Sequence, residues 1–207
     1  MDRRAALKNL TMGLGYTIAA PTLLKMLASC TSEVKTWTPL FLTELEQHMV
    51  IHLCDLILPA STTPGALDVN VPQFLDMMYK EIETESKQKL FRSGAGVFAT
   101  KFQEKIGKEA LEGKKEDYEV MLDTYLNLSE EKTEEVLALQ KQKITKVPRE
   151  KAEIYSLYKF LLATREYTLY GYFTSEKVGE EVLSYDPIPG VYQGCIPLED
   201  VGNAWSL

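Results

Sequence analysis

Leu42, Leu45, Met49, Leu53 and Leu56 recur every three or four residues. That spacing lines up one apolar face on an α-helix, and a strand with its period of two does not share it. The pattern returns in later segments, which points the whole chain toward packed helices. Thr43 can cap the first of them, with Glu46 three residues on in capping-box spacing. Pro59 ends it, and Thr62-Thr63-Pro64-Gly65-Ala66 reads as a turn-rich loop. Pro72 suits the first turn of a second helix carrying Phe74, Leu75, Met78 and Ile82. Further helices are predicted over about 86–108, 114–127 and 130–145, the last capped at Ser129. Pro148 opens the longest, about 149–174, with Ile154, Leu157, Tyr158, Leu161, Leu162 and Leu169 along it. Its C-terminal half is apolar around most of its circumference, so the centre of the bundle is its expected place. From Asp186 onward, Pro187, Pro189, Gly190, Gly194 and Pro197 exclude a regular helix. The expected class is all-α: a single-domain, irregular helical bundle with an extended Pro/Gly-rich C-terminal tail.

Ahead of these helices the charge changes sign. Residues 1–29 carry Arg3, Arg4, Lys8 and Lys25 against Asp2, whereas residues 30–207 carry 19 basic and 29 acidic side chains. Leu10 to Leu24 is a mild apolar run broken by Gly13, Gly15 and Pro21. It falls short of the ~20 residues a membrane-spanning helix needs. A basic start, a short apolar run and a small-residue exit describe an export signal. Asp2-Arg3-Arg4-Ala5-Ala6-Leu7-Lys8 resembles the twin-arginine (Tat) signature, and Leu27-Ala28-Ser29-Cys30 resembles a lipobox with Cys30 as the acylated residue. The expected organisation is an export signal over 1–29, a lipidated tether over 30–40 and a helical domain over 41–207. Thr31 and Ser32 lack the Asp that commonly retains lipoproteins at the inner membrane. A periplasmic location on the outer membrane is therefore the expectation.

Composition adds exclusions. A chain of 207 residues, 45% hydrophobic, buries roughly 70% of its unfolded surface and needs neither disulfide nor metal to hold a core. Net charge is −7, with no basic block of the kind that neutralises phosphates, so nucleic acid is not an expected partner. No C-x-x-C-H, G-x-S-x-G or phosphate-binding loop is present. Gly94-x-Gly96-x-x-Ala99 has dinucleotide-fingerprint spacing, but the charged, helical stretch Ser86–Arg92 precedes it where a strand is required. His48 and His52, at i and i+4, share a helix face with Glu44 and Asp55 and are the weak candidates for a metal site. The alternative is that the two histidines are ordinary packing residues beside the apolar stripe. Cys54 and Cys195 could form a disulfide in an oxidising compartment, or stand unrelated. Tyr155, Tyr158, Tyr167, Tyr170, Tyr172 and Phe173 crowd the long helix beside Arg165 and Glu166. They fit core packing, and equally a docking surface for another subunit.

Three stretches carry a family resemblance. They are Ile57–Ala60 with Thr63–Ala66 and Val71–Asp76, then Thr164–Ser175, then Tyr185–Tyr192 with Ala204-Trp205-Ser206 closing the chain. Together they resemble the small, third subunit of gluconate 2-dehydrogenase. The resemblance implies a non-catalytic accessory subunit beside a large flavin-dependent dehydrogenase of the glucose–methanol–choline type, often with a multihaem cytochrome subunit. It implies no cofactor in this chain and FAD in the partner. The small subunit of that family carries the Tat signal, so the Tat translocase would export the large subunit, folded and flavin-loaded, as its passenger. The lipobox departs from the family pattern and adds a membrane tether. On this reading Arg3 and Arg4 are the export signal and Cys30 is the anchor. Arg165, Tyr167, Tyr170, Tyr172, Phe173, Tyr185, Pro187, Pro189 and Tyr192 form the docking surface. A free-standing lipoprotein that binds a small ligand, or a metal-dependent enzyme using His48 and His52, are the competing readings.

Overall fold

The computed structural model describes residues 37–185, 190 and 194–205. Arg3, Arg4 and Cys30, like Pro187, Pro189 and Tyr192, lie outside the described residues. The chain divides into two compact units, Met1–Thr38 and Pro39–Leu207, and every helix named here belongs to the second.

The fold is all-α. In chain order the helices are α1 (Glu44–Ile57), α2 (Val71–Glu81), α3 (Glu85–Ile106), α4 (Lys115–Leu126), α5 (Glu130–Gln140), α6 (Ala152–Phe173), α7 (Glu176–Glu181) and α8 (Leu198–Val201). Extended pairing among the described residues is confined to one isolated bridge between Ser184 and Trp205. No described helix is long and apolar enough to cross a membrane.

Local chemistry sets the helix starts. Thr43 and Glu46 complete the capping box, with the Glu46 amide donating to Thr43 Oγ1 at 3.3 Å and the Thr43 amide donating to Glu46 Oε2 at 2.8 Å. Pro72 lies in the first turn of α2, where its missing N–H costs nothing. Thr84 and Ser129 cap α3 and α5. Gly107, at φ +80°, closes α3 in the left-handed conformation that glycine adopts without strain.

Helix α6 packs against α1, α2, α3 and α5 and is the centre of the bundle. Its most extensive partner is α3, where Phe91 and Phe98 meet Phe160 with ring centroids 5.0 and 5.6 Å apart. Met49, Val50 and Leu53 bring the apolar face of α1 into the same core. The buried half of α6 is its N-terminal one, from Tyr155 to Leu161, and the C-terminal half leaves Arg165, Glu166, Tyr170 and Phe173 exposed. The helix takes the central place expected of it, with its N-terminal half the more deeply buried. Polar Ser156, Thr164 and Thr168 are buried as well, because each hydroxyl donates to a carbonyl of its own helix, Glu153, Phe160 and Thr164 respectively.

Two short helices were not expected. α7 restarts at Ser175 after α6 ends, and α8 forms one turn within the proline-rich tail, after Pro197. Proline blocks helix interiors but suits the position just before a helix.

Candidate functional site

Leu162, Arg165, Glu166, Leu169, Tyr170 and Phe173 stand at i, i+3, i+4, i+7, i+8 and i+11 on α6 and line one shallow groove of about 540 Å³. A second groove, about 330 Å³, shares Leu162 and Arg165 and continues over Tyr125, Leu126, Val136, Leu137 and Tyr158. A third, about 520 Å³, shares Phe173 and continues over Leu183, Tyr185, Ala204 and Trp205. The three form one continuous strip. Leu162 to Phe173 alone covers roughly 16 Å at the helical rise. Tyr170, Phe173, Tyr185 and Trp205 are 53%, 51%, 53% and 55% exposed, large areas for aromatic side chains on a folded surface.

The structure sorts the residues expected to dock a partner. Arg165, Tyr170, Phe173 and Tyr185 lie on the strip. Tyr172 does not. Its ring is buried and its hydroxyl donates to the Pro64 carbonyl at 2.9 Å, which ties α6 to the loop after α1. Tyr167 is half-buried between Phe74 and Tyr79 and donates to Glu83 Oε1 at 2.5 Å. Burial and the Glu83 carboxylate raise the Tyr167 phenol, while the Glu83 carboxyl, despite its own burial, is held below the ordinary carboxylate range by Tyr167 and Lys87. Trp205 and Leu137 were missed as surface residues. The signal that could have found the α6 part of the strip is the outward set 162, 165, 166, 169, 170 and 173, which is apolar or aromatic at four of six places.

His48 and His52 do share one face, their rings meeting edge-on 4.6 Å apart, but they are built into packing. His52 lies flat on Tyr118 at 4.8 Å, and His48 Nε2 donates to the Gly113 carbonyl at 3.1 Å. Asp55 is paired with Lys115 at 2.5 Å. Among the described residues no three His, Cys, Asp or Glu converge to hold a metal ion. Burial, then the neighbouring His48, lowers the His52 imidazole below its ordinary value.

Cys54 and Cys195 are both free thiols, the second of the two alternatives left open for them. Cys54 is fully buried on the inner face of α1, 3.2 Å from Thr168 Oγ1, and Cys195 is exposed in the tail. The Thr168 hydroxyl already donates to Thr164, so the thiol is the donor of that contact. Burial pushes the Cys54 thiol up to about 12, which makes it unreactive. Gly94 and Gly96 lie in the interior of α3, with no strand before them and no loop to cradle a phosphate.

The start of the domain is held by a polar clasp that the sequence did not reveal. Asp76 on α2, itself buried, accepts from the amides of Leu40, Phe41 and Leu42 at 2.7, 3.0 and 2.8 Å. Arg92 on α3 pairs with Glu46 at 2.9 Å, donates to the Phe41 carbonyl at 2.6 Å and lies 4.3 Å over the Phe41 ring. Leu40 to Leu42, at the start of the helical unit, are thereby fixed against α2 and α3.

The family model described as gluconate 2-dehydrogenase subunit 3 matches residues 44–190, from the first residue of α1 into the tail. No curated protein and no solved structure matches the chain. The matched region is most of the helical unit, and the chain belongs to the gluconate 2-dehydrogenase subunit 3 family.

Proposed function

We propose that this chain is the non-catalytic accessory subunit of an exported dehydrogenase complex, and that it binds, escorts and tethers a large FAD-dependent subunit that oxidises a sugar or sugar acid. The strip along α6 is the observation that carries the reading. Tyr and Arg are the residue types that dominate protein interfaces, and here they stand on a rigid helix with Leu162, Leu169 and Phe173 between them. A flavoprotein face laid over the three joined grooves would cover the exposed rings. The shallow, open shape suits a protein surface better than a small ligand, which is normally enclosed.

The first thirty residues complete the proposal. Arg3 and Arg4 direct the chain to the Tat translocase, which carries folded cargo, so a signal-less partner travels already loaded with FAD. Cys30 carries the lipid anchor and holds the complex at the periplasmic face of a membrane, the outer one by the residues that follow it. A cytochrome subunit would accept the electrons.

Native purification of the tagged full-length chain from membranes tests this. A large flavoprotein is expected to co-purify, and to be lost from the periplasmic side when Arg3 and Arg4 become Lys. Recovery of this chain alone, without flavin, contradicts the escort role.

A further inference from the structure

The loop between α5 and α6 carries a charge opposite to that of the domain around it. Residues 141–151 hold Lys141, Lys143, Lys146, Arg149 and Lys151 against Glu150, whereas the rest of residues 39–207 holds 13 basic and 27 acidic side chains. Interleaved with Gln142, Ile144, Thr145, Val147 and Pro148, these cations do not read as a block in the sequence. The structure places all five on exposed surface. None of them enters an ion pair among the described residues, where Lys87, Lys89, Arg92, Lys101, Lys108 and Lys115 do.

The loop is braced from beneath. Tyr155 donates to the Gln142 carbonyl at 2.9 Å, Lys159 donates to the Gln140 carbonyl at 3.0 Å, and two single 3-10 turns shape residues 144–146 and 149–151. Ile144, 45% exposed, sits between Lys143 and Lys146. We propose that this loop is the surface through which the domain rests on an anionic lipid membrane.

Three features favour lipid over an acidic protein. The cations line none of the three grooves described above, and a diffuse headgroup layer needs no shaped pocket. An exposed aliphatic side chain among lysines suits the boundary between headgroups and acyl chains. The third feature rests on the Cys30 anchor proposed above. From Cys30 to Pro39 the chain reaches at most ~30 Å, less than the roughly 40 Å width of a domain this size. The anchor therefore keeps the domain close to the bilayer, where residues 141–151 offer a net positive surface on an otherwise acidic domain.

The test uses the full-length chain with Cys30→Ser, Cys195→Ser and Ile144→Cys, labelled at residue 144 with a polarity-sensitive fluorophore. Vesicles containing phosphatidylglycerol should shift its emission to the blue, and pure phosphatidylcholine vesicles should not. The shift should vanish in about 1 M salt, where screening falls to ~3 Å. Lys141→Gln, Lys143→Gln and Lys146→Gln together should raise the lipid concentration for half-shift about 100-fold. No shift on anionic vesicles, or a shift indifferent to the three substitutions, overturns the proposal. A shift with polyglutamate but not with vesicles overturns it in favour of an acidic protein. The probe needs neither acyl chain nor partner, so flavoprotein co-purification can fail or succeed independently of it.

Discussion

Gly94 on α3 lies directly against the backbone of Ser156 on α6. A Cβ at Gly94 would stand 2.1 Å from the Ser156 carbonyl oxygen and 2.7 Å from Phe160 Cβ. Backbone cannot yield as a side-chain tip can, so Gly94→Ala must push the two central helices apart. It should cost about 3 kcal/mol in urea unfolding. Gly96→Ala is the control: nothing lies within 4 Å of that Cβ, and relief of glycine's helix penalty should raise stability by up to ~1 kcal/mol.

Asp76 satisfies three backbone donors at the entry to the bundle. Asp76→Ala leaves buried amides unpaired and should lower stability by about 3–5 kcal/mol. Asp76→Asn keeps one acceptor oxygen and should cost less. Hydrogen exchange resolved to the Leu40–Leu42 amides checks the cause, since protection there should fall first.

The lowered His52 imidazole gives the fold a pH dependence of definite sign. Burial and His48 outweigh the opposing pull of Asp55 and Glu116. The unfolded chain takes up this proton at a pH where the folded chain does not. Stability from His52 is therefore complete above the ordinary value near 6.5 and declines as the pH falls from there toward the folded-state value. His52→Phe, which keeps the stack on Tyr118, should flatten that slope in urea midpoints measured across the range.

The Glu83 carboxyl, which accepts from Tyr167, gives a pH dependence of the same sign in the carboxylate range. The Glu83 carboxyl is lowered in the folded state, so its contribution is present above its unfolded value and lost as pH falls through the folded one. Tyr167→Phe should cost about 1–2 kcal/mol at neutral pH and almost nothing once Glu83 is protonated. A cost that persists in acid would assign the loss to packing.

Helix starts were legible because their signals are local. Thr43 with Glu46, Pro72 and Ser129 each act within four residues of themselves. What required the fold were contacts between distant segments: Gly94 under Ser156, Asp76 under Leu40 to Leu42, Tyr172 on Pro64. Side-chain type misled at α6, where Thr164 and Thr168 are buried because their hydroxyls bond within the helix, and Tyr170 and Phe173 are exposed. The aromatics of α6 were visible as a crowd, but which ring faces outward depends on the neighbours that cover the others.

Tyr170→Ser with Phe173→Ser removes the two most exposed rings of α6, at the cost of their edge contacts with Phe74 and Tyr172. Flavin absorbance of the complex purified on the tagged chain is the direct measurement. Wild-type protein should bring down a flavin-containing partner, and the double variant, with unchanged helical circular dichroism, at least tenfold less, on the order of the loss of two interface anchors. Equal flavin with both chains would contradict docking through the α6 strip, and no flavin with either would contradict the escort itself.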